Sequence, residues 1–222
     1  MPIVASAMLC APLHAVTLAV PTFDTDSYIF MATSNAFAPQ ITLGESLQGT
    51  PGHPHFNFGV IEFDSSSLSS NGNKFLQLSS IEYVSGQPPS QVTSATGTAS
   101  VQLVALGESF ADFQASGDKT LWYDTYVQNA GVTVLGTFDF TDQSSGTVDV
   151  TSTVNMWIAD GNSNQGFALF STQGSVELGS MTHANVSLRP ALVDTAIASV
   201  PEPSSLALLG LGSVSLLVRR RR

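Results

Sequence analysis

Between residues 24 and 194 the chain is cut into short apolar runs that alternate with polar positions, and clusters of Gly, Asn, Ser and Pro separate them. The runs are 27–31, 56–63, 75–84, 99–106, 132–140, 166–170 and 185–193. A period of two over four to ten residues predicts strands, and the punctuation predicts turns. Phe58 and Val60 alternate with Asn57 and Gly59, which this reading places on the outward face. Many short strands without long helical patterns predict an all-β sandwich. One helical turn is expected over Thr151–Ile158, where Val150, Val154, Trp157 and Ile158 share a face. Trp157 reads there as a core anchor. Residues 195–200 lack periodicity and read as a linker.

The charge balance narrows the partners. Seven basic residues face seventeen acidic ones, giving a net charge of −10, and four of the seven are Arg219, Arg220, Arg221 and Arg222. Before that cluster only Lys74, Lys119 and Arg189 are cationic. Phosphate backbones would repel such a chain, so nucleic acid is excluded as a partner. Charged residues make up 11%, against about a quarter in ordinary globular proteins, and Ser and Thr take their place. Such an uncharged, hydroxyl-rich surface is common in exported β-proteins.

Residues 1–15 contain the apolar stretch Ile3–Leu13, the length of a signal-peptide hydrophobic region, with Ala15 as the small residue at its end. Its Cys10 is the sole cysteine, so cleavage would leave a cysteine-free product. No Lys or Arg precedes the stretch, and a start upstream of Met1 is expected. A buried first strand is the other reading of these residues.

At the opposite end, Pro201-Glu202-Pro203 precedes an apolar run over 204–218 and then the four arginines. Fifteen residues make a helix of about 22 Å, against about 30 Å of hydrocarbon, so a single transmembrane helix here needs snorkelling arginines and local thinning. The arginine cluster orients it, with the C-terminus in the cytoplasm and the preceding domain outside.

This order of three parts resembles the PEP-CTERM sorting signal of Gram-negative bacteria, here over residues 201–222. The resemblance implies that an exosortase processes the chain near Pro201, Glu202 and Pro203. It further implies passage through the inner membrane, then residence at the cell surface or in an exopolysaccharide matrix. Those three residues and the four arginines are then recognition elements.

Several stretches of residues 16–194 resemble the DNRLRE-type domain, a jelly-roll sandwich grouped with carbohydrate-binding modules. Asp26-Ser27-Tyr28-Ile29 matches its opening strand, and Gly59 to Asp64 with Ser65–Leu68 its second strand and turn. Asp149-Val150-Thr151, Val154 and Trp157 match its "DVT, then V, then W" segment. Asn164, Gly166, Phe167, Ala168 and Leu169 follow as a strand, and Arg189 to Val193 close the domain. The family's second strand usually carries Arg, where this chain has Val60, Ile61 and Glu62. A grip on acidic polysaccharides is therefore not implied here.

Two kinds of ligand chemistry have candidates. Structural calcium would take oxygen ligands from Asp160, Asn162 and Asn164, at positions 1, 3 and 5 of a calcium-type loop, or from Asp24 and Asp26. The loop has Gln165 at position 6 and Ser171 at position 12, and a plain polar turn explains the same residues. For a glycan, Trp122, Tyr123 and Tyr126 form the densest aromatic cluster, with a core strand as the alternative. His53 and His55 share one face of an extended chain, but two imidazoles do not make a metal site.

The demanding catalytic motifs, G-x-S-x-G, G-x-x-x-x-G-K-[ST] and H-E-x-x-H, do not occur. The expectation is a non-enzymatic, exported surface protein with polysaccharide as its candidate ligand. The alternatives are a biofilm or coat component without a ligand, and a polysaccharide hydrolase or lyase using paired carboxylates.

Overall fold

The computed structural model describes residues 15–28, 40–50, 53–81, 98–116, 125–126, 132–141 and 143–195. These carry eleven strands: β1 (Thr17–Ala19), β2 (Phe23–Tyr28), β3 (Gln40–Thr50), β4 (His53–Glu62), β5 (Phe75–Ser79), β6 (Ala99–Ala105), β7 (Val134–Phe140), β8 (Ser145–Asp149), β9 (Phe167–Gly174), β10 (Val176–Gly179) and β11 (Ala191–Val193). Two helices accompany them, α1 (Phe110–Ser116) and α2 (Thr151–Ala159). The fold is all-β, in two sheets. One runs β1-β11-β5-β8; the other runs β10-β3-β4-β9-β6-β7, with β2 also paired to β4.

β3 joins the layers. Its first half pairs with β10 and its second half with β4, while β10 is bridged to the end of β5 through Ser80 and Leu178. The change of partner falls at Gly44, whose φ of +130° is open to glycine alone. A Cβ there would also stand 2.2 Å from Ser175 Oγ.

Strand periodicity divides the apolar residues between two cores. Facing the space between the sheets are Ile61 of β4, Leu76 and Leu78 of β5, Val101 and Leu103 of β6, Phe167 and Leu169 of β9, with Trp157 from α2. The alternate positions, Phe58, Val60, Ala168 and Phe170, point the other way and are covered by Phe110 and Phe113 of α1 and by Tyr126. The Phe-Ala-Leu-Phe run of β9 is thus buried on both faces, which accounts for its unbroken hydrophobicity.

Several expectations need correction. Gly59 is not outward: it faces the inter-sheet core, where a Cβ would approach Ile41 Cγ2 to 2.8 Å. The apolar residues beside it face a helix-covered layer, so both faces of β4 are interior. Residues 185–193 are not one strand, because the Asn185 side chain accepts a bond from Ser187 N–H and opens a 3₁₀ turn at Val186–Leu188. Only Ala191–Val193 pairs in a sheet. The helical turn stands where expected, as α2. The signal stretch, the linker and the segment 204–218 lie outside the described residues, apart from Ala15 and Thr195. Among the described residues no helix is long and apolar enough to cross a membrane.

Candidate functional site

The polar side chains singled out in the sequence fall into two groups: those that build the sandwich and those left on its surface. Asn164 belongs to the first. Its amide donates to Phe63 O at 2.8 Å and Ser65 Oγ at 3.2 Å, and its Oδ1 accepts from Gly166 N–H at 3.3 Å. It therefore ties the turn after β4 to the entrance of β9. The main-chain oxygen of Asp160 accepts from Ser163 N–H and Oγ, which folds Gly161–Ser163 into a 3₁₀ turn. The Asn164 side chain is committed to holding the turn after β4. A polar turn after α2 describes the segment.

Asp24 is also part of the framework. It is buried, and its carboxylate accepts from Met181 N–H, linking β2 to the turn after β10. The side chains of Asp26 and Asn162 lie outside the described residues. Among the described residues no three His, Cys, Asp or Glu side chains come together as a metal centre would require.

The aromatic cluster divides. Trp122 and Tyr123 lie outside the described residues. Tyr126 is no sugar surface: its ring is buried, stacks on Phe170 at 6.5 Å, and its hydroxyl accepts from Gly107 N–H at 2.9 Å. Burial raises the phenol's pKa, partly offset by the Gly107 bond. Trp157 is the core anchor expected, 4.6 Å from Phe167.

Two of the three cations upstream of the tail are engaged by the fold, Lys74 inside it and Arg189 half-buried. Lys74 is fully buried; its Nζ donates to Asn155 Oδ1 at 2.8 Å, Gly72 O at 3.3 Å and Asn71 O at 3.4 Å. Arg189 Nε donates to His183 O at 2.8 Å. Lys119 lies outside the described residues. At the β4 terminus, desolvation holds the Glu62 carboxyl above its usual range, while the bonds from Ser66 hold the exposed Asp64 below it.

What remains on the surface is a polar array that the sequence reading missed. On the outer face of the larger sheet, Ser100 of β6 stands directly opposite Asp139 of β7 on one side and Gln173 of β9 on the other. Ser100 Oγ donates to Asp139 Oδ1 at 2.7 Å. A bulge at Thr172, whose Oγ1 donates to Ser100 O at 3.1 Å, sets Gln173 in this row. Thr98 and Thr141 extend the array into a groove of about 350 Å³ with Phe140 in its wall. The alternation of Ser100 and Gln102, and of Thr137 and Asp139, was visible in the sequence, but which strands were neighbours was not.

Residues 199–222 match the family described as the PEP-CTERM protein-sorting motif. The tail is a PEP-CTERM sorting signal. It marks the chain as an exosortase substrate, anchored in the membrane and then exported to the cell surface. This PEP-CTERM match spans the tail and leaves the sandwich outside it. No curated protein matches the chain.

Proposed function

We infer that the exosortase-sorted tail delivers a non-enzymatic, jelly-roll-type module of the DNRLRE kind to the extracellular matrix of a Gram-negative bacterium, where it binds polysaccharide. The observation that carries the reading is the tail itself, because this route ends at a surface where the available polymers are the cell's own glycans. The residues shared with the DNRLRE pattern support the domain assignment through what they do. Asp149 Oδ1 accepts from Thr151 N–H at the start of α2, Val154 and Trp157 fill the inter-sheet core, and Asn164 secures the turn before β9. They behave as a framework signature.

A second reading, a coat or biofilm component with no ligand, is favoured by one fact: Asn164, Asp24 and Tyr126, candidates for ligand contact, are consumed inside the fold. Co-sedimentation of the full chain, in detergent, with purified matrix polysaccharide separates the two. Saturable binding supports the module; none at any concentration leaves the coat component. New reducing ends or unsaturated products released from the polymer would overturn the non-enzymatic assignment.

A further inference from the structure

The outer face of the larger sheet changes character along its strands. Where α1 covers it, the outward side chains are Phe58, Val60, Ala168 and Phe170. Beyond the helix the outward positions of β6, β7 and β9 are Ser100, Asp139 and Gln173, in register across three strands. These positions offer a carboxylate, a primary amide and a hydroxyl on a rigid sheet, at the lip of a groove of about 350 Å³. The bond from Ser100 Oγ fixes the Asp139 carboxylate before any ligand arrives.

We propose that this groove, bounded by Gln173, Ser100 and Asp139, is a binding site for a neutral polysaccharide. The proposal rests on the reading of the domain as a glycan-binding module and gives that module its site and ligand class. Neighbouring sugar hydroxyls each donate and accept. The Asp139 carboxylate accepts only, the Gln173 amide both donates and accepts, and the threonine hydroxyls do either. Charge selects among glycans. Among the described residues no Lys or Arg lines the groove, and the ionisable group among them, Asp139, is an acid. Lys74 and Arg189 are engaged elsewhere, so among the described residues a uronate polymer meets the Asp139 carboxylate with no cation to offset the repulsion.

Titration calorimetry of the full chain in detergent, with neutral hexaoses of glucose and mannose and with hexagalacturonate, tests the site. At least one neutral hexaose binds saturably and the uronate does not. Asp139→Ala and Gln173→Ala each weaken that binding about tenfold, equivalent to about 1.4 kcal/mol. Val186→Ser, at an exposed position away from the groove, leaves it unchanged. Should either alanine variant fail to fold, Asp139→Asn and Gln173→Glu probe the same contacts without loss of volume. Neutral-glycan binding that survives the groove substitutions overturns the site while leaving the module reading intact. Preference for the uronate overturns the ligand class. Absence of binding to every glycan overturns the module reading as well.

Discussion

Lys74 Nζ lies 2.8 Å from Asn155 Oδ1, joining the residue before β5 to the middle of α2 inside the protein. The main chain repeats the connection: Lys74 N–H donates to Thr151 Oγ1 and Val150 N–H to Lys74 O. The ammonium is buried, and the three acceptors around it are uncharged oxygens. Removing one of them is worse than removing the charge. Asn155→Ala is expected to cost about 1–3 kcal/mol in urea unfolding, and Lys74→Met, which keeps the buried stem, to cost less. The reverse order would contradict this role for the pair.

Asn164 supplies a second test. Asn164→Ala should cost about 2 kcal/mol, since it orphans Phe63 O and Gly166 N–H near the sandwich edge. Calcium should not shift the thermal midpoint of the wild-type chain, because this amide is already committed. A calcium-dependent rise in calorimetry that disappears in Asn164→Ala would restore the ion-binding reading of 160–164.

Gly59 is expected to tolerate no side chain. Gly59→Ala places a methyl 2.8 Å from Ile41 Cγ2 and 3.2 Å from Leu43 Cδ2, and overpacking of this kind costs about 1–3 kcal/mol. Ile41→Ala removes the nearer clash, so the double variant should be less unstable than the sum of the singles. Simple additivity in a double-mutant cycle would show that the two residues do not compete for the space.

Two carboxyls at the end of β4 give opposite pH signatures. Glu62 has its folded pKa raised by desolvation, so its contribution is complete below the unfolded pKa and is lost as pH rises through the folded value. Glu62→Gln should therefore gain stability relative to wild type as pH rises from below the usual glutamate range toward neutrality. Asp64, lowered by its bonds from Ser66, contributes above the unfolded pKa and loses that contribution as pH falls through the folded value. Asp64→Asn should lose its deficit in acid. Urea titrations from neutral pH down to below the usual aspartate range read both slopes; parallel profiles for the two variants would refute the assignment.

The parts of this molecule legible in the sequence are those governed by local periodicity. The run 99–106 announced β6 almost to the residue, and the spacing of Val150, Val154 and Trp157 announced α2. What escaped depends on partners remote in the chain. Phe58 and Val60 alternate as a half-buried strand should, yet glycine at 59 hides a second interior face that Ile41, eighteen positions earlier, and Leu169, far later in the chain, reveal. Tyr126 looked like a surface aromatic because Phe170, which covers its ring, belongs to a distant strand. The Gln173–Ser100–Asp139 row needs three strands to be neighbours, a relation no local pattern encodes. The tail, by contrast, is contiguous, and its three parts are readable in order.

The most direct measurement follows the full chain in cells with and without an active exosortase, comparing wild type with a variant carrying Ala at Pro201, Glu202 and Pro203. Membrane fractionation with intact-mass analysis should show wild type shortened near that motif and transferred to the surface only where exosortase is active. The variant should remain full-length in the membrane in both strains. Identical processing and distribution of the two proteins, with or without exosortase, would contradict the account.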